Sequence, residues 1–293
     1  MNPQRKATLL GLSAVFFWST VATAFKLALQ HVDHFQLLFL ANVFSLVSLS
    51  LVLVLQGKAH LLLCATRRQY RLALGLGLLN PLIYYLVLFK AYDLLPAQVA
   101  QPLNFTWALT LSWLSVPLLG QKVGWRHGLA GLICYFGVVV LATGGDLTTF
   151  KVANPLGVAL ALGSTVIWAF YWIGNTKSEL DPVAGLFLGF AFALPFVTGA
   201  VLLFSDLRFS WEGVLGGAYV GAFEMGFTFV LWLTALRLTT STARIANLIF
   251  LAPFLSLVFI HFVLGEHVLP ATIIGLVLIV GGLLLQSRGG GSK

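Results

Sequence analysis

The chain has 293 residues, of which 59% are hydrophobic and 9% charged, with a mean hydropathy of +0.96. This composition leaves too little polar surface to cover a water-soluble globule, so it excludes that class and predicts an integral membrane protein whose partner is the lipid bilayer. The formal charge of +8 comes from Lys and Arg in short connections between apolar segments, where topology signals lie, so no nucleic-acid partner is predicted.

Apolar segments follow one another along the whole chain, and roughly 20 apolar residues in a helix cross the hydrocarbon core. The predicted spans are residues 7–29, 35–55, 70–91, 95–119, 124–144, 154–175, 183–204, 213–236, 241–264 and 268–287. The fold class is therefore predicted to be all-α, with ten transmembrane helices. Residues 289–293, with the sequence Gly-Gly-Gly-Ser-Lys, are typical of a linker remnant and are excluded from the fold.

The basic residues are divided unevenly between the two sides of these ten spans. With a cytoplasmic N-terminus, thirteen Lys and Arg residues lie on the cytoplasmic side and four on the other. Because basic residues concentrate in cytoplasmic connections, this bias predicts that both termini are cytoplasmic. We expect a multi-pass protein of a bacterial inner membrane.

Reactive groups are sparse in the sequence. The connections are too short for a soluble domain, and no nucleotide-binding glycine pattern follows a strand. Cys64 and Cys134 are far apart, and no His, Cys and carboxylate spacing resembles a zinc site. We therefore predict no metal, no cofactor and no enzymatic activity.

The order of short motifs indicates an internal duplication. Gly120-Gln121 ends one apolar run, and Gly265-Glu266 ends another 145 residues later. We therefore predict two repeats of five helices, residues 7–144 and 154–287, which form one transport domain. Since five is an odd number, the repeats must be inverted, and a substrate site is expected between them near the membrane midplane.

These features resemble the drug/metabolite transporter superfamily of the EamA type. The resemblance rests on Phe-Trp-Ser at Trp18 and Ile-Trp-Ala at Trp168, and on the Leu-Leu-Gly-Gln and Val-Leu-Gly-Glu endings of the two halves. It implies a secondary transporter, and the Trp- and Tyr-rich helices are similar to YddG-type exporters of aromatic and other neutral amino acids. Gln121 departs from the acidic ending that is more usual in this family.

Polar and aromatic side chains recur at helical spacing within the predicted spans, which places them on shared faces. Such faces fit an aromatic amino acid. Its ring can stack on flat side chains, and polar groups of the protein can replace the water around its ammonium and carboxylate. The candidate substrate-binding residues are Trp18, Asn80, Tyr84, Gln101, Asn104, Trp107, Trp168, Trp172, Glu224 and Asn247. Two other interpretations stay open, since rings also anchor helix ends at interfaces and amides also join neighbouring helices.

Glu224 is the only acidic residue near the middle of a predicted span. A carboxylate in hydrocarbon is costly, so it marks a wet pathway or a paired site. Three roles are open: it attracts a substrate ammonium, it exchanges a proton during transport, or it pairs with a basic or amide group between helices. Lys26, in the last turn of its span, is expected to extend to the outer interface.

Internal prolines and spaced glycines indicate where helices move. Gly213, Gly217 and Gly221 recur every four residues, which lets helices approach closely. Pro102 and Pro253 interrupt the fourth and ninth spans and are candidate hinges for alternating access, with static kinking as the alternative.

The sequence thus predicts an inner-membrane secondary transporter that exports neutral, including aromatic, amino acids or related metabolites by alternating access through a central cavity. Its partner would be a small-molecule substrate, with proton coupling through Glu224 as an option. The alternatives are a drug or other metabolite carrier of the same fold, since fold does not fix substrate, and a channel or membrane scaffold.

Overall fold

The computed structural model describes residues 2–120, 124–149, 152, 154–240 and 245–289. Gln121 and residues 290–293 of the predicted linker lie outside these described residues, whereas Gly289, the first residue of that predicted linker, ends the last helix. Within them the chain forms helices and connections with no β-strand, which confirms the all-α prediction.

Six of the predicted spans are each formed by one continuous helix, whereas four, the third, fourth, eighth and ninth, are built from shorter helical pieces. The α-helices in chain order are α1 (Pro3–Ala28), α2 (His34–Leu55), α3 (Arg67–Gly77), α4 (Tyr84–Leu94), α5 (Ala97–Phe105), α6 (Trp107–Leu119), α7 (Trp125–Ala142), α8 (Pro155–Asn175), α9 (Pro182–Phe204), α10 (Trp211–Tyr219), α11 (Phe227–Leu238), α12 (Ala252–Leu264) and α13 (Pro270–Gly289). Wider π-helical turns join α3 to α4 over Leu78–Ile83 and follow α10 over Val220–Glu224, and a 3₁₀ turn over Asn247–Leu251 precedes α12.

Seven helical segments in the described part of the chain are long and apolar enough to cross a membrane. They are Pro3–Ala28, His34–Leu55, Arg67–Leu94, Pro155–Asn175, Pro182–Phe204, Trp211–Leu238 and Asn247–Leu264. Two shorter apolar helices, His127–Ala142 and Pro270–Gln286, lie where the fifth and tenth spans are expected. The predicted fourth span divides into α5 and α6 at Thr106. The total of ten spans stays a prediction.

Side-chain caps explain where several helices begin. Asp33 and Gln36 form a reciprocal capping box at the start of α2, and Asp181 caps α9 ahead of Pro182. These side chains accept hydrogen bonds from backbone N–H groups that have no partner within the helix. At the other end, α6 and α12 stop at left-handed glycines, Gly120 and Gly265, with φ of 67° and 70°. The two endings noticed in the sequence therefore share one backbone conformation.

Glycines bring two pairs of helices into backbone contact. A Cβ atom at Gly77 of α3 would lie 2.2 Å from the carbonyl oxygen of Gly189 in α9. Similarly, a Cβ atom at Gly221, just after α10, would lie 2.3 Å from the carbonyl oxygen of Ala41 in α2. The helices lie this close because no side chain separates them. This packing fixes the positions of the two π-helical turns, which carry the polar residues described next.

Candidate functional site

Two predicted site residues lie where the third and eighth spans depart from α-helical geometry. Asn80 lies between α3 and α4 with φ −140° and ψ 114°, and Pro81 follows it. Since Pro81 has no N–H to donate, the helical hydrogen bonding is interrupted there. Glu224 ends the turn after α10, two residues before the non-helical Gly226 (φ −120°, ψ −99°). Both breaks present polar groups inside the bundle, where lipid cannot reach the interrupted backbone.

Glu224 is half-buried and is held by a tyrosine from the other half of the chain. Tyr85 Oη donates a hydrogen bond to Glu224 Oε1 at 3.0 Å. Among the described residues, no Lys, Arg or His lies within ion-pair distance of this carboxylate. Glu224 therefore forms no ion pair with a basic residue that the structure describes. Its contact between helices is the hydrogen bond from Tyr85.

Aromatic rings extend from this tyrosine across the centre of the bundle. Tyr85 contacts Tyr84 edge to face with ring centroids 4.8 Å apart, and Tyr84 stacks on Trp168 at 4.4 Å. Trp168 also lies 6.5 Å from Phe229, which meets Trp18 at 5.6 Å. These rings and the neighbouring Trp172 form what we name the aromatic cluster: Trp18, Tyr84, Tyr85, Trp168, Trp172 and Phe229. Four helices, α1, α4, α8 and α11, contribute to it, so a molecule lodged there would contact both halves of the chain.

Asn104 ties the aromatic cluster to α5. Its Nδ2 donates to Ser164 Oγ at 3.0 Å, and its amide lies within 3.4 Å of Tyr84 Oη. Other polar atoms nearby are buried and have no hydrogen-bond partner among the described residues. They are Asn80 Oδ1, Gln101 Oε1, Trp172 Nε1 and Thr228 Oγ1. A buried polar atom without a partner carries a free-energy penalty, so these atoms are candidates for contacts with a polar ligand.

One small cavity lies beside the polar residue of the third span. A cavity of about 10 Å³, the size of a single water molecule, lies between Asn80, Tyr171 and Asn175. A wider crevice of about 480 Å³ lies between the α1–α2 connection and the pair Lys90 and Asp93, away from the aromatic cluster. The central hollow expected from the sequence stays a prediction, since the rings at that place contact one another.

Several predicted residues lie apart from this centre. Trp107, at the start of α6, is half-buried against the hydrophobic core. Asn247 is exposed in the 3₁₀ turn that precedes α12. Of the candidate hinges, Pro102 lies inside α5, which continues past it, and Pro253 is the second residue of α12. None of these positions is tested as a substrate contact or hinge, so their roles stay predictions.

The structure adds residues that helical spacing did not single out. Tyr85 directly follows the predicted Tyr84, Phe229 lies five residues after Glu224, and Ser164 precedes Trp168 by one turn. Tyr85 was visible as a neighbour of Tyr84, but no periodicity joins it to a carboxylate 139 residues away. Such a pair requires knowledge of how the helices pack.

At the end of the bundle predicted to face outward, two charged side chains form hydrogen bonds with the α4–α5 turn. Lys26 Nζ donates to the carbonyl oxygens of Tyr92 and Leu95 at 2.9 and 3.2 Å, and the expected reach of this side chain to the outer interface stays a prediction. Glu266 accepts bonds from the backbone N–H groups of Ala97 and Gln98 at 2.9 and 3.3 Å. A cation meets the end of one helix and an anion the start of the next, as the helix dipoles favour.

The opposite end is joined by different groups. Lys58 forms an ion pair of 2.6 Å with Asp181. Burial works against ionisation of Asp181, but the hydrogen bond from Lys58 and the first N–H groups of α9 outweigh it, so the pKa of Asp181 lies below its usual value. Gln4 Oε1 accepts a bond from Thr240 N at 3.0 Å. These contacts fasten the ends of helices that surround the aromatic cluster.

Comparison with known proteins gives a consistent result. The EamA-like transporter family matches residues 5–143 and again 155–288. The uncharacterized transporter YvbV of Bacillus subtilis (strain 168) is 24% identical over 295 residues, covering 97% of this chain and 92% of that protein. An uncharacterized transporter of Archaeoglobus fulgidus is 26% identical over 212 residues, covering 68% and 72%. One solved crystal structure has a TM-score of 0.66 at 22% identity, covering 96% of this chain and 98% of that one.

Proposed function

The chain belongs to the EamA-like transporter family, and from that premise we propose that it is a secondary transporter which exports neutral, including aromatic, amino acids or related metabolites across a bacterial inner membrane. One observation carries the choice of substrate. A carboxylate, Glu224, lies next to stacked rings at the centre of the bundle, with neutral hydrogen-bonding groups around it. An aromatic amino acid offers a ring, an ammonium and a carboxylate, which are the chemical counterparts of those three features.

The proposal includes two inverted repeats, residues 7–144 and 154–287, that surround the substrate. The two separate family matches support this division, as do the left-handed glycines that end α6 and α12. Alternating access would then consist of one repeat moving against the other, with Pro102 and Pro253 as hinges and both termini in the cytoplasm. Cysteines introduced at the two ends of the chain and labelled from one side of the membrane test this topology. Labelling of the ends from opposite sides would contradict it.

Counterflow in proteoliposomes is the direct test of the proposed function. Vesicles loaded with unlabelled phenylalanine are diluted into a trace of labelled phenylalanine, with vesicles lacking the protein as a blank. A carrier accumulates the label transiently and saturably, because exchange needs a binding site that faces alternate sides. Linear uptake without exchange would indicate a channel and overturn the proposal. A panel of other amino acids and of unrelated drugs separates amino-acid export from the same fold acting on other molecules.

A ring substitution tests where the substrate binds. Trp168→Ala removes the ring that stacks on Tyr84, so we expect a rise of about tenfold in the KM for phenylalanine. Trp211→Ala is the matched control, because Trp211 is 69% exposed at a predicted interface. Equal KM values for the two variants would remove the aromatic cluster from the substrate path.

A further inference from the structure

We propose that the central site selects its substrate by a cationic amino group and that the carboxylate of an amino acid is dispensable. Organic amines with an aromatic or apolar body would then be substrates at least as good as the corresponding amino acids. This inference rests on the proposed function, because it takes the region around Glu224 and the aromatic cluster to be the substrate path. It goes further by naming the one charged group of the substrate that the protein recognises.

The distribution of charge is the first support. Glu224 is the fourteenth of the 28 residues of the helical segment Trp211–Leu238. Each other charged residue in the described helices lies within five residues of an end of its segment. The centre of the described bundle therefore carries a single formal charge, which is negative when Glu224 is ionised. A ligand with a net positive charge neutralises it, whereas a zwitterion leaves a negative charge behind.

The basic side chains that might serve a substrate carboxylate are engaged elsewhere. Lys26 is two helical turns beyond Trp18, about 12 Å along α1, and its Nζ donates to two backbone carbonyls. Lys58 pairs with Asp181, and Lys90 pairs with Asp93 at 2.7 Å. Within the part of the chain that the structure describes, the aromatic cluster thus has a full charge for an ammonium and none for a carboxylate.

The geometry of Glu224 suits a cation. Tyr85 holds Oε1, while Oε2 has no hydrogen-bond partner among the described residues. One oxygen is thereby oriented and the other is left for an N⁺–H donor, the arrangement that gives the stronger, charge-assisted class of hydrogen bond. The rings of Tyr84 and Trp168 continue from the same place, and aromatic faces attract cations in addition to stacking on flat groups.

A carboxylate on the substrate would meet only neutral groups. Fully buried donors without a partner among the described residues include Trp172 Nε1 and Thr228 Oγ1. Hydrogen bonds between a charged and a neutral group are weaker than those in a fully charged pair, and Glu224 repels the carboxylate at the same time. An acid that lacks the amino group therefore loses the strong contact and keeps the repulsion. The expected order of binding is amine, then amino acid, with the deaminated acid far behind.

Three compounds that share one ring give the test: phenethylamine, phenylalanine and 3-phenylpropionate. Each is added at equal pH inside and outside as a competitor of phenylalanine counterflow. Trimethyl(phenethyl)ammonium is included because it cannot lose its charge and so cannot leak through lipid as a neutral amine. We expect both cations to compete at concentrations equal to or below that of phenylalanine, and 3-phenylpropionate to need at least about tenfold more. Recognition of the acid together with failure of both cations would overturn the inference.

Two matched variants assign this selectivity to Glu224. Glu224→Gln is expected to weaken competition by the cations at least about tenfold and to leave 3-phenylpropionate unchanged or improved, because the attraction and the repulsion disappear together. Glu212→Gln, which removes an exposed carboxylate from the first turn of α10, is expected to change none of the three. If Glu224→Gln lowers binding of all three compounds equally, the carboxylate does not select for charge, and the inference is wrong.

Direct flux separates failure of this inference from failure of the proposed function. Saturable transport of phenylalanine without recognition of either cation would leave amino-acid export standing and sink the inference. Saturable transport of trimethyl(phenethyl)ammonium without transport of any amino acid would support the inference and show that amino-acid export is wrong. No saturable flux of any of these compounds would contradict both.

Discussion

The third and eighth spans break in similar surroundings but carry different chemistry at the break. In each, a glycine lies three residues before the polar residue and touches the backbone of a helix from the other half of the chain. Gly77 precedes Asn80, and Gly221 precedes Glu224. The separation of 144 residues between the two polar residues equals that between the glycines. The close glycine contact is thus repeated, although the non-helical residue is Asn80 itself in the third span and Gly226 in the eighth. One break presents a neutral amide and the other a carboxylate.

This difference shows that packing and chemistry are specified separately in the two halves. Close helix contact needs only a missing side chain, so glycine serves in both places. The charge is placed once, at Glu224, where Tyr85 holds it. The same contrast occurs in the sequence after the left-handed glycines, where Gln121 follows Gly120 and Glu266 follows Gly265. The second half therefore supplies the carboxylate in both pairs.

The largest expected effect comes from replacing a glycine that allows close helix contact at one of the breaks. Gly221→Ala puts a methyl group 2.3 Å from the carbonyl oxygen of Ala41, so the helices must separate. We expect a loss of stability of about 1–3 kcal/mol or more, seen as a lower thermal unfolding midpoint in detergent. Gly199→Ala in α9 is the control, since no atom lies within 4 Å of its added Cβ. Equal midpoints for the two variants would contradict the close packing.

The next largest effect, on the transport rate, is expected when both breaks are made neutral. Glu224→Gln leaves both spans neutral and should lower the initial rate of phenylalanine counterflow at least about tenfold while the protein stays folded. The double variant Asn80→Glu with Glu224→Gln moves the carboxylate to the third span. Since Asn80 is 2% exposed and Tyr85 is placed to donate at position 224, we expect no recovery of transport. Recovery would mean that the position of the charge is unimportant.

A smaller effect is expected from the residue that joins the two breaks. Tyr85→Phe keeps the ring in the aromatic cluster and removes the hydrogen bond to Glu224 Oε1. The carboxylate then loses its orientation, and we expect the KM for phenylalanine to rise about three- to tenfold with the unfolding midpoint nearly unchanged. A variant that transports like the unmodified protein would show that Glu224 is oriented by something else.

The smallest effect concerns the turn that carries the second carboxylate. Glu266→Gln gives the second half the residue that follows Gly120 in the first, and it weakens the bonds to the N–H groups of Ala97 and Gln98. We expect a loss of about 0.5–1 kcal/mol, comparable to that of a helix cap. Thermal unfolding at low and high salt would show it, with a smaller difference at high salt. A salt-independent midpoint difference would argue against a charge effect.

Much of this molecule was predictable from its sequence because hydropathy and glycine spacing are local signals. The helical class and the central position of Glu224 follow from them directly. The break at Asn80 is where the predictions lose accuracy. Helical spacing assumed an unbroken helix from Asn80 to Tyr84, whereas the backbone at Asn80 is extended, and Tyr84 contacts Asn104 and Trp168.

Contacts between residues far apart in the sequence were also not predicted. Lys26 was expected at the interface because its long side chain can reach water there. The sequence did not indicate its partners, which are the carbonyl oxygens of Tyr92 and Leu95 at the α4–α5 turn. Partners of this kind depend on tertiary packing and leave no periodic pattern in the sequence.

Photo-crosslinking of a substrate tests most directly whether the centre of the bundle, with its single carboxylate, is the transport site. A phenylalanine analogue with a diazirine on the ring is irradiated with the purified protein, and the labelled peptides are mapped by mass spectrometry. We predict labels on residues of α4, α8 and the segment around Glu224, all suppressed by excess phenylalanine. Labels confined to the exposed Phe262 or to the crevice at Lys90, and insensitive to competition, would contradict the account.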